Sequence, residues 1–183
     1  ETFDYPEEFF KERIHNIRRP KPDDFQIKQA MEKIKKSKKP IIISGGGVFY
    51  SDAMDELGSF AIKHNIPVTQ TVMGYSTMKR DHSHFLGPIG GLGGKAANNL
   101  AKETDLAICV GTKLADFTTG SWANFENPEF KLVSINIARH DANKHLAEAV
   151  IGDAKVCLSE LSNSLGNWKS PDSWYKKSQD ELK

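Results

Sequence analysis

The chain has 183 residues, with 25 Lys and Arg against 24 Asp and Glu and a formal net charge of +1. That length suits one domain with a sizeable core, and a charge this near zero offers no field for a polyanion or an anionic membrane, so no nucleic-acid partner is expected. Two cysteines, Cys109 and Cys157, cannot build a disulfide framework, and their apolar surroundings point to buried thiols in a reducing, cytoplasmic setting.

Residues 1–23 read as an arm. Phe3, Tyr5, Phe9 and Phe10 alternate with charge, and Pro6, Pro20 and Pro22 punctuate the stretch, which predicts a short helix and then a linker. The chain opens on Glu1 within this stretch, without the apolar core of a signal peptide, as a domain excised from a longer protein would. From Asp24 the pattern becomes regular. Ile27, Ala30, Met31 and Ile34 fall at i, i+3, i+4 and i+7 behind Asp23 or Asp24 as N-cap. Lys35, Lys36, Lys38 and Lys39 close that helix as a solvated, dipole-compatible end.

Pro40 opens the β-branched run Ile41-Ile42-Ile43, which stops on Gly45 as a strand buried on both faces should, and is far too short to span a membrane. A helix is expected from about Ser51 to His64, with Met54, Leu57, Phe60 and Ala61 inward, then a strand over Ile66 to Thr71. The glycine-rich stretch from Gly74 to Gly94 leads into a helix that buries Ala96, Ala97, Leu100 and Ala101. Strands follow at Leu106 to Val110, Lys131 to Ile137 and Ala149 to Ile151. Asp153 caps a last helix with Val156, Leu161 and Leu165 on one face. Short apolar strands alternating with helices predict a parallel sheet covered on both sides, a three-layer Rossmann-like α/β domain.

Two glycine turns are the candidate site. Gly45-Gly46-Gly47 ends the first strand, where backbone amides could approach a phosphate, although the spacing G-x-G-x-x-G is not met because Tyr50 stands in the last position. A phosphate cradle and a merely tight strand-to-helix turn are equally compatible with it. Gly111-Thr112 carries the same ambiguity, but in a doubly wound sheet two such turns flank the crevice where ligands bind. Other chemistries have less support. His82 with His84, and His140 with His145, lack companions at metal-ligand spacing, so no metal site is expected. Gly74-Tyr75-Ser76-Thr77-Met78 lacks the second glycine of a nucleophile elbow. Adjacent carboxylates at Glu7-Glu8 and Asp55-Glu56 diverge on a helix and make no acid–base pair.

Taken together, Pro40 to Gly47, Ile66-Pro67-Val68, Gly74 with Asp81-His82, the spaced Gly87, Gly90 and Gly94, and Asp105 to Gly111 resemble the central domain of thiamine-diphosphate-dependent enzymes of the acetolactate-synthase type. The resemblance covers about Asp24 to Leu165. It implies a six-stranded Rossmann-like unit set between a pyrimidine-binding and a pyrophosphate-binding domain, in a parent that is a homo-oligomer. Thiamine diphosphate and Mg2+ would be held by those flanking domains. Some members hold FAD in the central domain. Asp116-Phe117-Thr118-Thr119-Gly120-Ser121-Trp122 and Phe3-Asp4-Tyr5-Pro6-Glu7-Glu8-Phe9-Phe10 resemble one branch, the trihydroxycyclohexane-1,2-dione hydrolases of myo-inositol catabolism. That similarity implies a parent that cleaves a C–C bond of a cyclic 1,2-diketone with water and opens the ring to a deoxy-glucuronic acid.

Two departures bear on the site. The Gly-Asp-Gly to Asn-Asn signature for metal and diphosphate is absent, since Asn98-Asn99 has no such partner upstream and Gly152-Asp153-Ala154 lacks the final glycine. Where FAD-binding relatives tend to carry Ile-Asp-Ile-Asp-Pro, this chain has Ile135-Asn136-Ile137-Ala138-Arg139. The expectation is therefore a domain of residues 24–166 with interdomain arms at 1–23 and 167–183. The fragment alone would be inactive and bind neither thiamine diphosphate nor FAD nor NAD, with Gly45, Gly46, Gly47, Gly111 and Thr112 marking a vestigial nucleotide crevice. Trp168, Trp174 and Tyr175 of the C-terminal arm would pack on neighbouring domains, or else on this domain itself, and Thr119, Ser121 and Trp122 would shape a substrate entrance, the alternative being that Trp122 and Phe125 cover the sheet edge. The rivals are a carboligase or decarboxylase parent on the same fold and a free-standing FAD- or NAD-binding module.

Overall fold

The computed structural model describes residues 2–183. Six strands form one all-parallel sheet: β1 (Pro40–Ser44), β2 (Val68–Gln70), β3 (Phe85–Pro88), β4 (Leu106–Val110), β5 (Lys131–Asn136) and β6 (Glu148–Ile151), in the order β3-β2-β1-β4-β5-β6. The register puts Ile42 opposite Val68 on one side and Ile108 on the other, so the triple-isoleucine strand lies at the centre. Strand alternation then splits the core in two. Ile42, Val68, Ile108, Val133, Ile135 and Val150 face one layer. Ile41, Ile43, Leu86, Ala107, Cys109 and Leu132 face the other.

The first layer holds α1 (Asp24–Lys36), α3 (Met54–His64) and α7 (Ala154–Leu165). Asp23 caps α1 by accepting from Phe25 N at 2.7 Å, and Ile27, Ala30 and Ile34 are buried while Lys35 and Lys36 stay exposed. On α7 the buried stripe is Cys157, Leu158, Leu161 and Leu165, with Val156 only half-buried. The other layer holds α4 (Lys95–Glu103), where Ala96, Ala97, Leu100 and Ala101 are all buried. Between them the crossovers carry α2 (Gly46–Tyr50), α5 (Asp116–Thr119) and α6 (Arg139–Ala142).

Four differences from the sequence expectation have physical reasons. The helix expected from Ser51 starts at Met54, because Asp52 adopts a left-handed φ of 53° that separates α2 from α3. The glycine-rich stretch contains β3, a four-residue edge strand bonded only to β2. The N-terminal arm forms only a single 3-10 turn, Glu7–Phe10, and is pinned at its end, where Arg19 pairs with Asp153 at 3.1 Å and Pro20 O accepts from Asp153 N at 2.9 Å.

The C-terminal stretch is the fourth. It folds into α8 (Asp172–Asp180), and Trp174 is 3% exposed among the residues of the α4-side core. Its Nε1 donates to Pro40 O at 2.8 Å. Trp168 packs on the opposite core, its carbonyl 2.7 Å from His64 Nδ1, and Tyr175 Oη donates to Ser83 O at 3.1 Å. These aromatic side chains are thus held by this domain's own surfaces, contrary to the expectation that they await another's.

Candidate functional site at the switch point

The strand order reverses between β1 and β4, so the crossovers leaving their carboxyl ends diverge to opposite sides and define the place where doubly wound sheets hold ligands. Both candidate glycine turns lie there, and they meet each other. A Cβ on Gly47 would come within 2.6 Å of Gly111 Cα, and one on Gly45 within 2.6 Å of Thr112 Cβ. Gly111 itself has φ +61°. The absence of side chains lets two backbones touch.

Three of the amides that could have cradled a phosphate are committed. Gly45 N donates to Val110 O at 2.8 Å, Gly47 N to Gly111 O at 3.0 Å, and Gly111 N to Ile135 O at 2.8 Å. Asn136, standing where a carboxylate is usual in FAD-binding relatives, donates from Nδ2 to Thr112 O at 3.2 Å and accepts from Ala138 N at 2.9 Å. Donors already paired with carbonyls give an anion little to bind.

Beside them, the turn after β2 is tied down by a buried hydroxyl network. Ser44 Oγ lies 2.7 Å from Thr77 Oγ1, Thr71 N donates to Ser44 O at 2.9 Å, and Gly74 N donates to Thr71 Oγ1 at 3.0 Å. Gln70, which ends β2, is buried and its Oε1 has no hydrogen-bond partner. Sequence reading passed over it, although a long amide closing a buried β-branched strand is the available signal.

The Thr119, Ser121 and Trp122 segment begins at the carboxyl end of β4 and runs back across the sheet. Thr119 is buried, and its Oγ1 accepts from Trp122 N at 3.3 Å. Ser121 is exposed. Gly120, Ser121 and Trp122 are all left-handed, at φ 58°, 52° and 70°, which throws Trp122 toward the start of β5. There it packs beside Phe125 and Phe130 on the α4-side core and lies 4.6 Å from His145, ring to ring. Trp122, Phe130, Lys131, Leu132, His145, Leu146 and Lys33 line a cleft of about 390 Å³ at the amino end of β5, the opposite edge from the glycine turns.

The histidines are occupied with packing. His84 stacks on Tyr175 at 4.4 Å, and burial, assisted by His82, pushes its pKa down to about 4. Burial also holds His64 below the ordinary histidine value. Both thiols are buried, which raises the Cys109 thiol and pushes Cys157 up to about 12, far from a reactive thiolate. Asn98 brackets the loop at Gly90, accepting from Gly90 N at 2.9 Å and donating to Gly90 O at 3.0 Å. Among the described residues, no three His, Cys, Asp or Glu side chains gather as a metal-binding group. No described helix is long and apolar enough to cross a membrane.

A six-stranded parallel sheet in this order, with two glycine turns in contact at its switch point, defines a doubly wound α/β domain. Residues 27–161 match the family model described as thiamine pyrophosphate enzyme, central domain, and the chain belongs to that family. It is 47% identical over 165 residues to the 3D-(3,5/4)-trihydroxycyclohexane-1,2-dione hydrolase of Clostridium perfringens strain 13, an alignment covering 90% of this chain and 26% of that protein. Identity is 45% over 165 residues to a protein of the same name from Bacillus cereus strain ZK, again 90% of this chain and 26% of the other. The chain therefore spans about a quarter of the length of these curated relatives. A crystal structure described as that of a thiamin diphosphate-dependent enzyme from Mycobacterium smegmatis superposes with a TM-score of 0.67 at 21% identity, over 85% of this chain and 30% of that one, which supports the fold.

The family implies thiamine diphosphate, normally held with a divalent metal. This chain's own residues do not fit that group with its metal: no cluster of three His, Cys, Asp or Glu side chains that could hold the ion is present among the described residues.

Proposed function

We propose that this chain is the central domain, residues 24–166 with its terminal segments, of a cytoplasmic thiamine-diphosphate-dependent hydrolase that opens trihydroxycyclohexane-1,2-dione with water in myo-inositol catabolism. The observation that carries this reading is the 47% identity across 90% of the chain to a hydrolase of that name. Thiamine diphosphate and Mg2+ would be held by the flanking pyrimidine- and pyrophosphate-binding domains of a homo-oligomeric parent, and the C–C cleavage would be their chemistry.

The central domain's own work is architectural. Its sheet sets the spacing of its neighbours, and the Gly45–Gly47 and Gly111–Thr112 contact clamps two crossovers into one rigid edge. Trp122, seated against Phe125 and Phe130, supports the start of β5, and its half-buried ring in the cleft leaves it available to shape the substrate entrance of the longer enzyme.

The test uses the longer enzyme that contains this chain, supplied with thiamine diphosphate and magnesium. It should consume the cyclic diketone and yield one open-chain acid with no loss of carbon dioxide. Release of carbon dioxide from a 2-oxo acid, with the diketone untouched, would show a decarboxylase or carboligase parent instead. Calorimetric titration of the 183-residue chain alone with thiamine diphosphate and magnesium should give no specific heat.

A further inference from the structure

Two short turns at the carboxyl edge hold their apolar side chains outward, against the usual rule. In α2, Phe49 and Tyr50 are exposed. In the turn after β2, Val72 is exposed, as are Met73 at 73% and Tyr75 at 74%. The turns touch, since a Cβ on Gly46 would lie 3.0 Å from Met73 O, so these five residues form one contiguous surface. No charged residue occurs from Ser44 to Ser51 or from Ile66 to Met78, in a chain that is 27% charged.

The backbone beneath is over-determined. Tyr75 N donates to Val72 O at 3.3 Å, Thr77 Oγ1 donates to Gly74 O at 2.7 Å, and Ser76 is fixed in a left-handed conformation at φ 68°. On the α2 side, Ser51 N donates to Gly47 O at 3.0 Å, and the Ser51 carbonyl accepts from Arg19. A mobile loop tip would be polar. A buried polar network that holds a bare apolar tip in one shape cuts the ordering cost of an association.

We infer that Phe49, Tyr50, Val72, Met73 and Tyr75 form a preorganised docking epitope for a neighbouring domain of the same polypeptide, one presenting an apolar, uncharged face. This rests on the reading of the chain as the central domain of a longer enzyme. The missing charge excludes an acidic peptide or a nucleic acid as occupant. Curated relatives of which this chain covers 26% leave ample polypeptide to supply the partner, and a tethered partner needs little intrinsic affinity. The epitope lies beside the switch point, whereas Trp122 lies at the other edge.

Hydroxyl-radical footprinting read by mass spectrometry tests it, on the 183-residue chain and on the longer enzyme. Tyr50, Met73 and Tyr75 should be labelled heavily in the chain alone and severalfold less in the enzyme. Leu146, 99% exposed at the opposite edge, is the internal reference. Equal labelling of Met73 and Tyr75 in both proteins would overturn the inference. So would protection that appears in the isolated chain as concentration rises, together with dimer formation in sedimentation velocity, because the occupant would then be a second copy. The footprint reads contact whichever substrate the enzyme turns over, so its failure is separable from failure of the hydrolase reading.

Discussion

Replacing Trp174 tests whether the C-terminal helix belongs to this fold. The side chain is 3% exposed, packs with the α4-side core, and spends its only donor on Pro40 O at the first residue of the central strand, while the Lys39 ammonium sits 5.7 Å from its ring. Truncating a buried aromatic to alanine costs about 3–5 kcal/mol. In a chain of this length each kcal/mol moves the melting temperature by about 2–4 °C, so Trp174→Ala should melt about 6–20 °C lower. Trp174→Phe keeps one aromatic ring but removes the N–H and the second ring of the indole, so it should lose about 1–3 kcal/mol for the stranded carbonyl plus a smaller cavity cost than alanine. Differential scanning calorimetry of the three proteins supplies the comparison. An alanine variant within about 2 °C of the parent would refute the docking of α8, because so small a shift is under 1 kcal/mol.

Four further outcomes are expected. Gly47→Ala must push apart backbones that already touch at Gly111, and should lower stability by about 1–3 kcal/mol in urea titration. Half-buried Trp122 should cost roughly half of a fully buried aromatic, so Trp122→Ala should lower stability by about 2 kcal/mol; an unchanged melting temperature would return it to a role in the longer enzyme. His84 is held neutral down to about pH 4, while the unfolded chain takes up that proton near 6.5, so the unfolded state binds more protons in between. Stability should fall as pH drops from about 6.5 to 4, and a flatter profile in His84→Asn would confirm the source. Purified chain should show no flavin absorbance near 450 nm after desalting, and a retained flavin spectrum would mean the switch-point turns open.

How far the sequence was legible follows from how local each signal is. The central strands β1 and β4 are continuous apolar runs stopped by glycine, and α1, α4 and α7 carry their caps or buried stripes within a single window. β3 was hidden because an edge strand of four residues with Gly87 and Pro88 inside has no period to read. α8 was hidden because only Trp174 and Ser178 of its nine residues are buried, too few to mark a face. At the site, the positions of Gly45, Gly47 and Gly111 were legible, but what each approaches was not. A glycine kept for a ligand and one kept for another glycine look the same in one dimension, and only the pairing of β1 with β4 brings Gly47 and Gly111 together. The path of Trp122 to the opposite edge depends on three successive left-handed residues, two of which, Ser121 and Trp122, carry side chains that ordinarily avoid that conformation.

Pro40 pairs with Leu106, so the middle of the sheet closes only when two distant parts of the chain are both available. During synthesis at about 5–20 residues per second, β1 would wait on the order of several seconds for β4 to be made. For most of that interval the strand Pro-Ile-Ile-Ile-Ser has at best β2 on one side and an open ladder on the other, and until residue 103 is made Ile41 and Ile43 have no complete α4 to cover them. A short, uncharged, β-branched segment with a free edge is a template for wrong pairing between nascent chains. The four lysines at positions 35, 36, 38 and 39 immediately precede it, and their mutual repulsion would keep neighbouring copies apart until the ribosome delivers the proper partner.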